Sequence, residues 1–428
     1  MIHPSIDLLG GKAVQLRGGN PDDCVVAIDD VQGVAAQFAR HGELAIIDLD
    51  AALGRGDNLA LIASLCAQFD ARVGGGIRSH ERADTLLRMG AKKLIIGTCA
   101  TPDFLSRYPA DRLIVALDAK GGEVVDHGWT RGTGAQVLDR AQQLSAYCSE
   151  FLYTLVDREG LMGGTDLEAI ARLVAATDNR VVAAGGITSL PEVVALDRMG
   201  ASCQLGMAIY TGALSLTDCV MAMLDWGKSD GLLPVVVQDS NEQVVMHAWV
   251  DREALAFTLA TGNGHYFSRS RERHWRKGET SGHTQRVLAV RYDCDRDTLL
   301  YRIEQTGRAC HIPTQYSCFG DQTFNLRTLE AALQSRRAEA LAADTEDAGS
   351  YTRRLFTEPG LVEAKLKEEV GELIDAATPR EIVWEAADVL FFTLTKLARH
   401  GLTLAQVEKE LHGRHGRRRA PASSQGDA

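Results

Sequence analysis

Two carboxylates follow matching apolar runs in the first half of the chain, Asp7 after the first run and Asp118 after the fifth. Strands one and five of a closed barrel face each other across its mouth, so this pair can flank one substrate as acid and base. Other runs are followed by residues that expose backbone N–H groups to phosphate, namely Gly75, Gly76, Gly97, Thr98, Gly185, Gly186 and Gly206. Because they occur in both halves, we expect a ligand with a phosphate at each end. Glycines that merely turn the chain are the alternative interpretation.

Ligand-type residues also cluster in the middle of the chain. On a strand, the motif DCDRD would project one cysteine from one side and three carboxylates suited to Mg²⁺ from the other, which are Asp293, Asp295 and Asp297. The cysteine, Cys294, together with Cys310 and Cys318 suits Zn²⁺ and leaves one position open. A water on that zinc would be acidic enough to attack as hydroxide near neutral pH. His311 is a possible fourth ligand or a coincidental neighbour.

A basic and aromatic segment, HYFSRSRERHWRKGETSGHTQRV, lies just before DCDRD. Its composition can hold a phosphate by bidentate contacts and stack a base, and a solvated basic surface is the alternative. The candidate substrate-binding residues are Arg269, Arg271, Trp275, Lys277, Thr280 and Ser281.

Acidic residues at helical spacing mark the last part of the chain. KEEVGEL contains Glu369 and Glu372, and WEAAD contains Glu385 and Asp388. Residues three apart share a helix face, so these four acids can converge and bind Mg²⁺ between packed helices. KEEVGEL alone is also typical of an acidic surface helix. Candidate phosphate contacts, or ordinary surface charges, are Arg353, Arg354 and Lys365.

The patterns that must position these residues predict a multidomain chain. Residues 1–226 alternate strand and helix signals and repeat themselves, for example as GGI at Gly75 and Gly185 and RMGA at Arg88 and Arg198, 110 positions apart. Two such halves predict a (βα)8 barrel. Residues 233–320 predict a small strand-rich α+β domain, residues 322–412 an all-α domain, and residues 413–428 a basic, disordered tail.

Composition narrows the function classes. The 428 residues are 45% hydrophobic and 24% charged with a net charge of −11, which disfavours wholesale disorder and a general nucleic-acid binder. No apolar stretch approaches a membrane span, and the opening MIHPSIDLLGGK is not typical of a signal peptide. Scattered cysteines such as Cys24 and Cys66 indicate free thiols in a reducing cytoplasm.

Residues 1–225 resemble the phosphoribosylformimino-AICAR-phosphate isomerases of histidine biosynthesis. The resemblance rests on SIDLLGGKAVQLRGG, IIDLDAALGRGDN, VGGGIRS, LDAKGG with HGWT, AAGGITS and LGMAIYTG. It implies an Amadori rearrangement of an aminoaldose to an aminoketose without a cofactor. Asp7 takes the place of the family's general base and Thr154 that of its threonine. Glu159 stands where the family carries an acidic Asp, one methylene longer.

Residues 233–320 resemble phosphoribosyl-AMP cyclohydrolase, through SRSRERHWRKGETSG, DCDRD and ACHIPTQYSCF. That resemblance implies zinc-hydroxide attack on the adenine ring. SYTRRLF, KLKEEVGEL and WEAADVLFF resemble phosphoribosyl-ATP pyrophosphohydrolase, which implies that Mg²⁺ binds the triphosphate and activates water. Both families imply a homodimer.

The three resemblances fall on consecutive reactions of one pathway with phosphoribosyl-nucleotide substrates. They predict a multifunctional enzyme whose domain order runs opposite to its reaction order. One alternative keeps the two C-terminal activities and makes the barrel a non-catalytic scaffold that binds a sugar phosphate. A second alternative is a nucleotide-binding sensor with a closed structural zinc site.

Overall fold

The computed structural model describes residues 1–126, 128–129, 131–342 and 351–414. His127 and Thr130 of the HGWT motif, and residues 415–428 of the predicted tail, lie outside the described residues. The chain divides into two compact units, Met1–Gly320 and Asp321–His412. Among the described helices, none has both the length and the hydropathy that crossing a membrane requires.

Twelve strands form one sheet in the described part of residues 1–226. They are β1 (Ile2–Leu9), β2 (Lys12–Leu16), β3 (Cys24–Ile28), β4 (Leu44–Asp48), β5 (Ala71–Gly74), β6 (Lys93–Ile96), β7 (Leu113–Lys120), β8 (Glu123–Asp126), β9 (Arg131–Gln136), β10 (Glu150–Leu155), β11 (Arg180–Ala184) and β12 (Ser202–Leu205).

Eight of these strands close into a parallel barrel. The order is β1, β4, β5, β6, β7, β10, β11 and β12, and β12 pairs with β1 to complete the ring. The remaining strands are antiparallel excursions, β2 and β3 after β1, and β8 and β9 after β7. The excursions therefore follow the first and fifth barrel strands, as the sequence repeat requires. The predicted (βα)8 barrel is confirmed.

Ten α-helices accompany the strands in the described part of this region. They are α1 (Val31–Ala39), α2 (Leu49–Leu53), α3 (Leu59–Gln68), α4 (His80–Arg88), α5 (Pro102–Leu105), α6 (Val137–Leu144), α7 (Leu167–Ala176), α8 (Leu190–Arg198), α9 (Met207–Tyr210) and α10 (Leu216–Met223). Ser79 caps α4 by accepting from the Arg82 backbone N–H, and Ser189 caps α8 in a capping box with Glu192. These serines are 110 positions apart in the sequence repeat, so the repeat encodes matching helix starts.

The middle region adds a four-stranded sheet, a helix and a hairpin to the same compact unit. Its elements are β13 (Leu233–Gln238), β14 (Val244–Val250), α11 (Arg252–Thr261), β15 (His265–Ser268), β16 (Arg273–Arg276), β17 (Gln285–Tyr292) and β18 (Leu299–Gln305). The sheet order is β14, β13, β18, β17, with β13 and β18 parallel. The strand-rich prediction is confirmed.

The barrel and the middle region share one hydrophobic core. Buried side chains of both, such as Val220 in α10 and Leu255 in α11, belong to a single cluster. Polar contacts reinforce it, since the Arg40 guanidinium donates to the Leu259 carbonyl at 2.9 Å. These two parts are therefore a single packing unit, and we expect neither to keep its full stability alone.

The regular secondary structure of the second unit, among its described residues, consists of helices alone. Its helices are α12 (Leu326–Ala342), α13 (Tyr351–Thr357), α14 (Leu361–Asp375), α15 (Pro379–Arg399) and α16 (Leu404–Arg414). Thr378 and Glu381 form a capping box that starts α15 beside Pro379. Two small apolar clusters, centred on Leu333 and Leu355, hold the helices together. The all-α prediction is confirmed.

Candidate functional site

The mouth of the barrel holds a cavity lined by three carboxylates. Asp7 lies on β1, Asp118 on β7, and Glu159 just after the end of β10. Thr154 lies opposite Asp118 in the β7–β10 pairing and also lines the cavity. The barrel thus brings together all four residues that the sequence predicted as catalytic, on strands far apart in the chain.

The three carboxylates differ in how readily they ionise. Burial raises the pKa of Asp7 to about 6, although Ser5 Oγ donates a hydrogen bond to Asp7 Oδ1 at 2.9 Å and partly opposes the rise. Burial, then the charges of Asp7 and Asp118, raise the pKa of Glu159 to about 7. Near neutral pH this arrangement can accept a proton at Asp7 while Glu159 still carries one to deliver.

Asp118 is held by two hydrogen bonds that the sequence analysis did not predict. Trp129 Nε1 donates to Asp118 Oδ2 at 2.9 Å, and the Thr154 hydroxyl bonds to the same carboxylate. Burial still raises the pKa of Asp118 despite these bonds. Trp129 adopts a left-handed backbone with φ of 69°, which a sequence pattern does not reveal. The HGWT motif was the available signal for this residue.

All seven predicted phosphate-site residues line the same cavity. Gly75 and Gly185 have φ of 93° and 87°, and a Cβ on either would lie within 2.7 Å of a backbone oxygen, of Asp48 or Leu155 respectively. The close approach therefore requires glycine at both equivalent positions. The chain-turning interpretation and the phosphate interpretation are compatible, because the same tight backbone borders the cavity.

Two buried amides in this cavity were missed by the sequence analysis. Gln15 Nε2 and Gln204 Oε1 are shielded from solvent and have no hydrogen-bond partner among the described residues. A buried polar atom without a partner is costly. A polar group of a bound ligand can satisfy each of them. Gln15 lies within the SIDLLGGKAVQLRGG motif, which was the available signal for it, whereas Gln204 directly precedes the LGMAIYTG motif and lies outside it.

The DCDRD motif is a turn between β17 and β18, so the prediction that it lies on a strand is wrong. Arg296 takes φ of 64° there, and Asp293 Oδ1 accepts from the backbone N–H of Asp297 at 3.2 Å. The turn brings one oxygen each from Asp293, Asp295 and Asp297 within 4.8 Å of one another. These acids therefore converge through a tight turn instead of strand alternation.

Two of the three predicted zinc ligands are neighbours. Burial and the adjacent Cys310 raise the pKa of Cys318, and the ammonium of Lys277 lies close enough to act on the Cys318 thiol. Cys294 does not join them in any group of described ligand atoms within 4.8 Å of one another. Cys294 is exposed on the DCDRD turn, whereas Cys310 is buried. A single chain therefore presents a thiol pair and a separate third thiol.

The basic and aromatic segment is partly organised. The Trp275 ring lies 5.1 Å from the Tyr266 ring, and Lys277 Nζ donates to the Ala309 carbonyl beside the thiol pair. Arg269 stacks over Trp249 at 4.2 Å. The other candidates in this segment are exposed, namely Arg271, Thr280 and Ser281.

The acidic helices of the second unit form a compact cluster. Oxygens of Glu369, Glu385 and Asp388 lie within 4.8 Å of one another. Burial, then Glu372 and the other two acids, raise the pKa of Glu385. Glu385 Oε2 is shielded from solvent without a hydrogen-bond partner among the described residues. This orphaned oxygen and the surrounding acids fit a divalent cation.

Two of the three predicted phosphate contacts of this unit already take part in ion pairs. Lys365 pairs with Glu368 at 2.8 Å and Glu369 at 3.5 Å, and Arg354 pairs with Glu358 at 2.9 Å. Arg353 is half-buried on α13. Lys365 is thus next to the acidic cluster, where its charge offsets part of the repulsion.

Comparison with known families assigns each region. A family model described as "Histidine biosynthesis protein" matches residues 1–215, half of the chain. The chain belongs to this histidine biosynthesis family. A phosphoribosyl-AMP cyclohydrolase model matches residues 246–320, and a phosphoribosyl-ATP pyrophosphohydrolase model matches residues 327–415. The histidine biosynthesis barrel is therefore followed by a cyclohydrolase domain and a pyrophosphohydrolase domain in one chain.

The curated proteins that this chain resembles include trifunctional, bifunctional and single-activity proteins. The histidine biosynthesis trifunctional protein of Neurospora crassa is 33% identical over 76% of this chain and 35% of its own length. The bifunctional protein HisIE of Deinococcus radiodurans is 44% identical over 44% of this chain and 90% of its own length. An imidazole-4-carboxamide isomerase of Gemmatimonas aurantiaca is 40% identical over 49% of this chain and 94% of its own length. The chain spans between 22% and 35% of the length of five trifunctional relatives that it matches.

Proposed function

We propose that this chain catalyses three consecutive steps of histidine biosynthesis. Residues 322–412 release pyrophosphate from phosphoribosyl-ATP, residues 233–320 open the adenine ring of phosphoribosyl-AMP, and residues 1–226 isomerise the resulting aminoaldose. The observation that carries the proposal is the convergence of Asp7, Asp118 and Glu159 at one barrel mouth in a chain with two further acidic clusters. The substrates are small phosphorylated nucleotides.

In the barrel, Glu159 acts as the acid and Asp7 as the base. Glu159 delivers its proton to the ring oxygen of the aminoaldose, which opens the sugar. This breaks the bond between C1 and the ring oxygen and leaves a C1=N iminium. Asp7 then takes the proton from C2 to give an enaminol, whose hydroxyl proton returns to the ionised Glu159 while Asp7 delivers its proton to C1 to give the aminoketose. The pKa of about 7 for Glu159 and about 6 for Asp7 support these roles, because each group has the required protonation state near neutrality. Trp129 and Thr154 hold Asp118 for contact with the substrate.

In the middle region, the residues fit a zinc ion shared between two copies of the chain. Cys310 and Cys318 of one copy would hold the ion with Cys294 of the other copy, because one chain does not gather all three thiols. When bound, Zn²⁺ supplies a water that is nucleophilic near neutral pH. Trp275 would stack the base, and Lys277 would orient substrate beside the thiols.

Apolar exposure supports a homodimer independently. Exposed side chains on α14 and α15 include Ile374 at 77%, Val383 at 70% and Trp384 at 65%. Large apolar residues clustered beside an acidic site are typical of an interface. We propose that a second copy covers this face.

Complementation tests the shared zinc site. Full-length Cys294→Ser and Cys310→Ser variants should each lack cyclohydrolase activity, while a mixture that is allowed to exchange subunits should regain part of it. A mixed dimer has one site with three thiols and one with a single thiol. Co-folded chains that remain inactive would refute the shared arrangement, provided that zinc content and dimer formation are measured.

In the second unit, Glu369, Glu385 and Asp388, with Glu372 beside them, would hold Mg²⁺. When bound, Mg²⁺ neutralises triphosphate charge and activates water for pyrophosphate release. The unpartnered Glu385 Oε2 supports this role, because a cation would satisfy it. Lys365, beside the cluster, is placed to contact a phosphate.

In the middle region, the three acids of the DCDRD turn would hold a second Mg²⁺.

One incubation tests all three activities. The full chain with phosphoribosyl-ATP, Mg²⁺ and Zn²⁺ should release pyrophosphate first, then form the ring-opened aminoaldose and finally the aminoketose. Accumulation of the aminoaldose would make the barrel a non-catalytic scaffold. Absence of pyrophosphate release would favour a nucleotide sensor.

We further propose a cytoplasmic setting, since all nine cysteines are free thiols.

A further inference from the structure

Lys228 places its ammonium among the acids of the DCDRD turn. Lys228 Nζ lies 2.8 Å from Asp295 Oδ2 and 3.3 Å from Asp297 Oδ2. Lys228 belongs to the segment between α10 and β13, which joins the barrel to the middle region. Asp295 and Asp297 therefore share a cationic partner that lies more than 60 positions earlier in the chain.

Contacts on both sides hold the lysine and the turn together. The Arg296 guanidinium pairs with Asp197 Oδ1 at 2.9 Å, and the Asp225 backbone N–H donates to the Arg296 carbonyl at 2.8 Å. The joining segment closes on itself through a hydrogen bond from the Gly231 N–H to the Trp226 carbonyl at 2.9 Å. Lys228 thus projects from an ordered segment onto a turn that is itself anchored to α8.

We propose that Lys228 is a tethered counter-ion of the DCDRD acids, with which a divalent cation must compete, so that the joining segment tunes the cation affinity of the middle region. The proposal rests on the Mg²⁺ site proposed above for these acids. Three carboxylates within 4.8 Å of one another repel unless positive charge is present. The ammonium supplies one such charge, whereas a divalent cation supplies two.

The two cations compete for the same acidic cluster. A bound Mg²⁺ lies about 2.1 Å from its carboxylate oxygens, and the ammonium already lies 2.8 Å from an oxygen of Asp295. Both would then compete for the same lone pairs and repel each other. Removing the ammonium should therefore tighten divalent-cation binding, by about two- to tenfold for an exposed pair at low ionic strength.

The probe is Mn²⁺, whose free concentration is measured by electron paramagnetic resonance, with the full-length, zinc-loaded chain. Every protein carries Glu385→Gln to weaken the acidic cluster of the second unit. Lys228→Met is compared with Lys228→Arg, which keeps the charge. The matched control is Lys12→Met. Lys12 is similarly exposed and forms an ion pair at 2.9 Å with one acid, Asp29, which is not part of the DCDRD turn. Asp295→Asn identifies the binding that belongs to the turn.

We expect Lys228→Met to bind Mn²⁺ two- to tenfold more tightly than Lys12→Met, with a gain that shrinks as salt is added. Lys228→Arg should resemble the parent. The counter-ion role would be overturned if Lys228→Met bound Mn²⁺ no more tightly than Lys12→Met while Asp295→Asn lost a Mn²⁺ site. That result would leave the cation site itself intact. An unchanged isotherm for Asp295→Asn would refute the cation site itself and the counter-ion role with it.

Discussion

Replacing Glu159 with Gln should remove the acid of the barrel reaction and one limb of its pH profile. Glutamine keeps the size of the side chain but has no proton to deliver at neutral pH. Burial and the neighbouring charges of Asp7 and Asp118 raise the pKa of Glu159 to about 7, and burial raises that of Asp7 to about 6. Activity therefore needs Asp7 ionised, which fails below about pH 6, and Glu159 protonated, which fails above about pH 7.

These two pKa values set the size of the effect. The fraction of molecules with Asp7 ionised and Glu159 protonated is about 0.6 at pH 6.5 and falls to about 0.1 at pH 8 or pH 5. Loss of a general acid lowers kcat/KM by about 10²- to 10⁴-fold, or about 3–5 kcal/mol. Glu159→Gln should therefore show this loss at pH 6.5, keep the acidic limb near pH 6, and lose the decline between pH 7 and pH 8.

The assay supplies the aminoaldose to the full-length chain and follows the aminoketose across pH 5–9. Glu168→Gln is the matched control, because Glu168 is exposed on the nearby α7. Glu159→Asp, which restores the acid of the resembling family, should keep both limbs. An alkaline limb that persists in Glu159→Gln, or activity within a few-fold of the parent, would refute the assignment of Glu159 as the acid.

Three further predictions concern the other sites and stability. Cys310→Ser should lose bound zinc and accumulate phosphoribosyl-AMP while pyrophosphate release continues; normal ring opening would contradict the thiol site. Glu385→Gln should stop pyrophosphate release yet leave turnover of supplied aminoaldose intact, and unchanged release would count against the acidic cluster. Arg72→Met should lower the free energy of unfolding by about 3–5 kcal/mol in urea denaturation, because it removes the guanidinium that Glu43 and Glu150 share and leaves Lys93 as the remaining close partner of Glu150; a loss under 1 kcal/mol would disprove this.

Much of the fold was predictable because its signals are local or repeated. The matching helix starts at Ser79 and Ser189 follow from residues within one helical turn, and the repeat turns each local signal into evidence for a two-half barrel. Glu385 and Asp388 are equally local, since three residues along a helix put two side chains on one face. Convergence of Asp7 and Asp118 followed once a closed barrel was assumed, because strands one and five then share a mouth.

Only the tertiary structure decided how charges pair and which groups hold protons. The sequence placed DCDRD on a strand, but the chain turns there, and its counter-ion Lys228 comes from a distant segment that no spacing rule connects to it. Likewise, the order of the Asp7 and Glu159 pKa values depends on the burial of both groups and, for Glu159, on the charges of Asp7 and Asp118. Secondary structure is governed largely by neighbours along the chain, whereas solvation and Coulomb energy depend on distances through space.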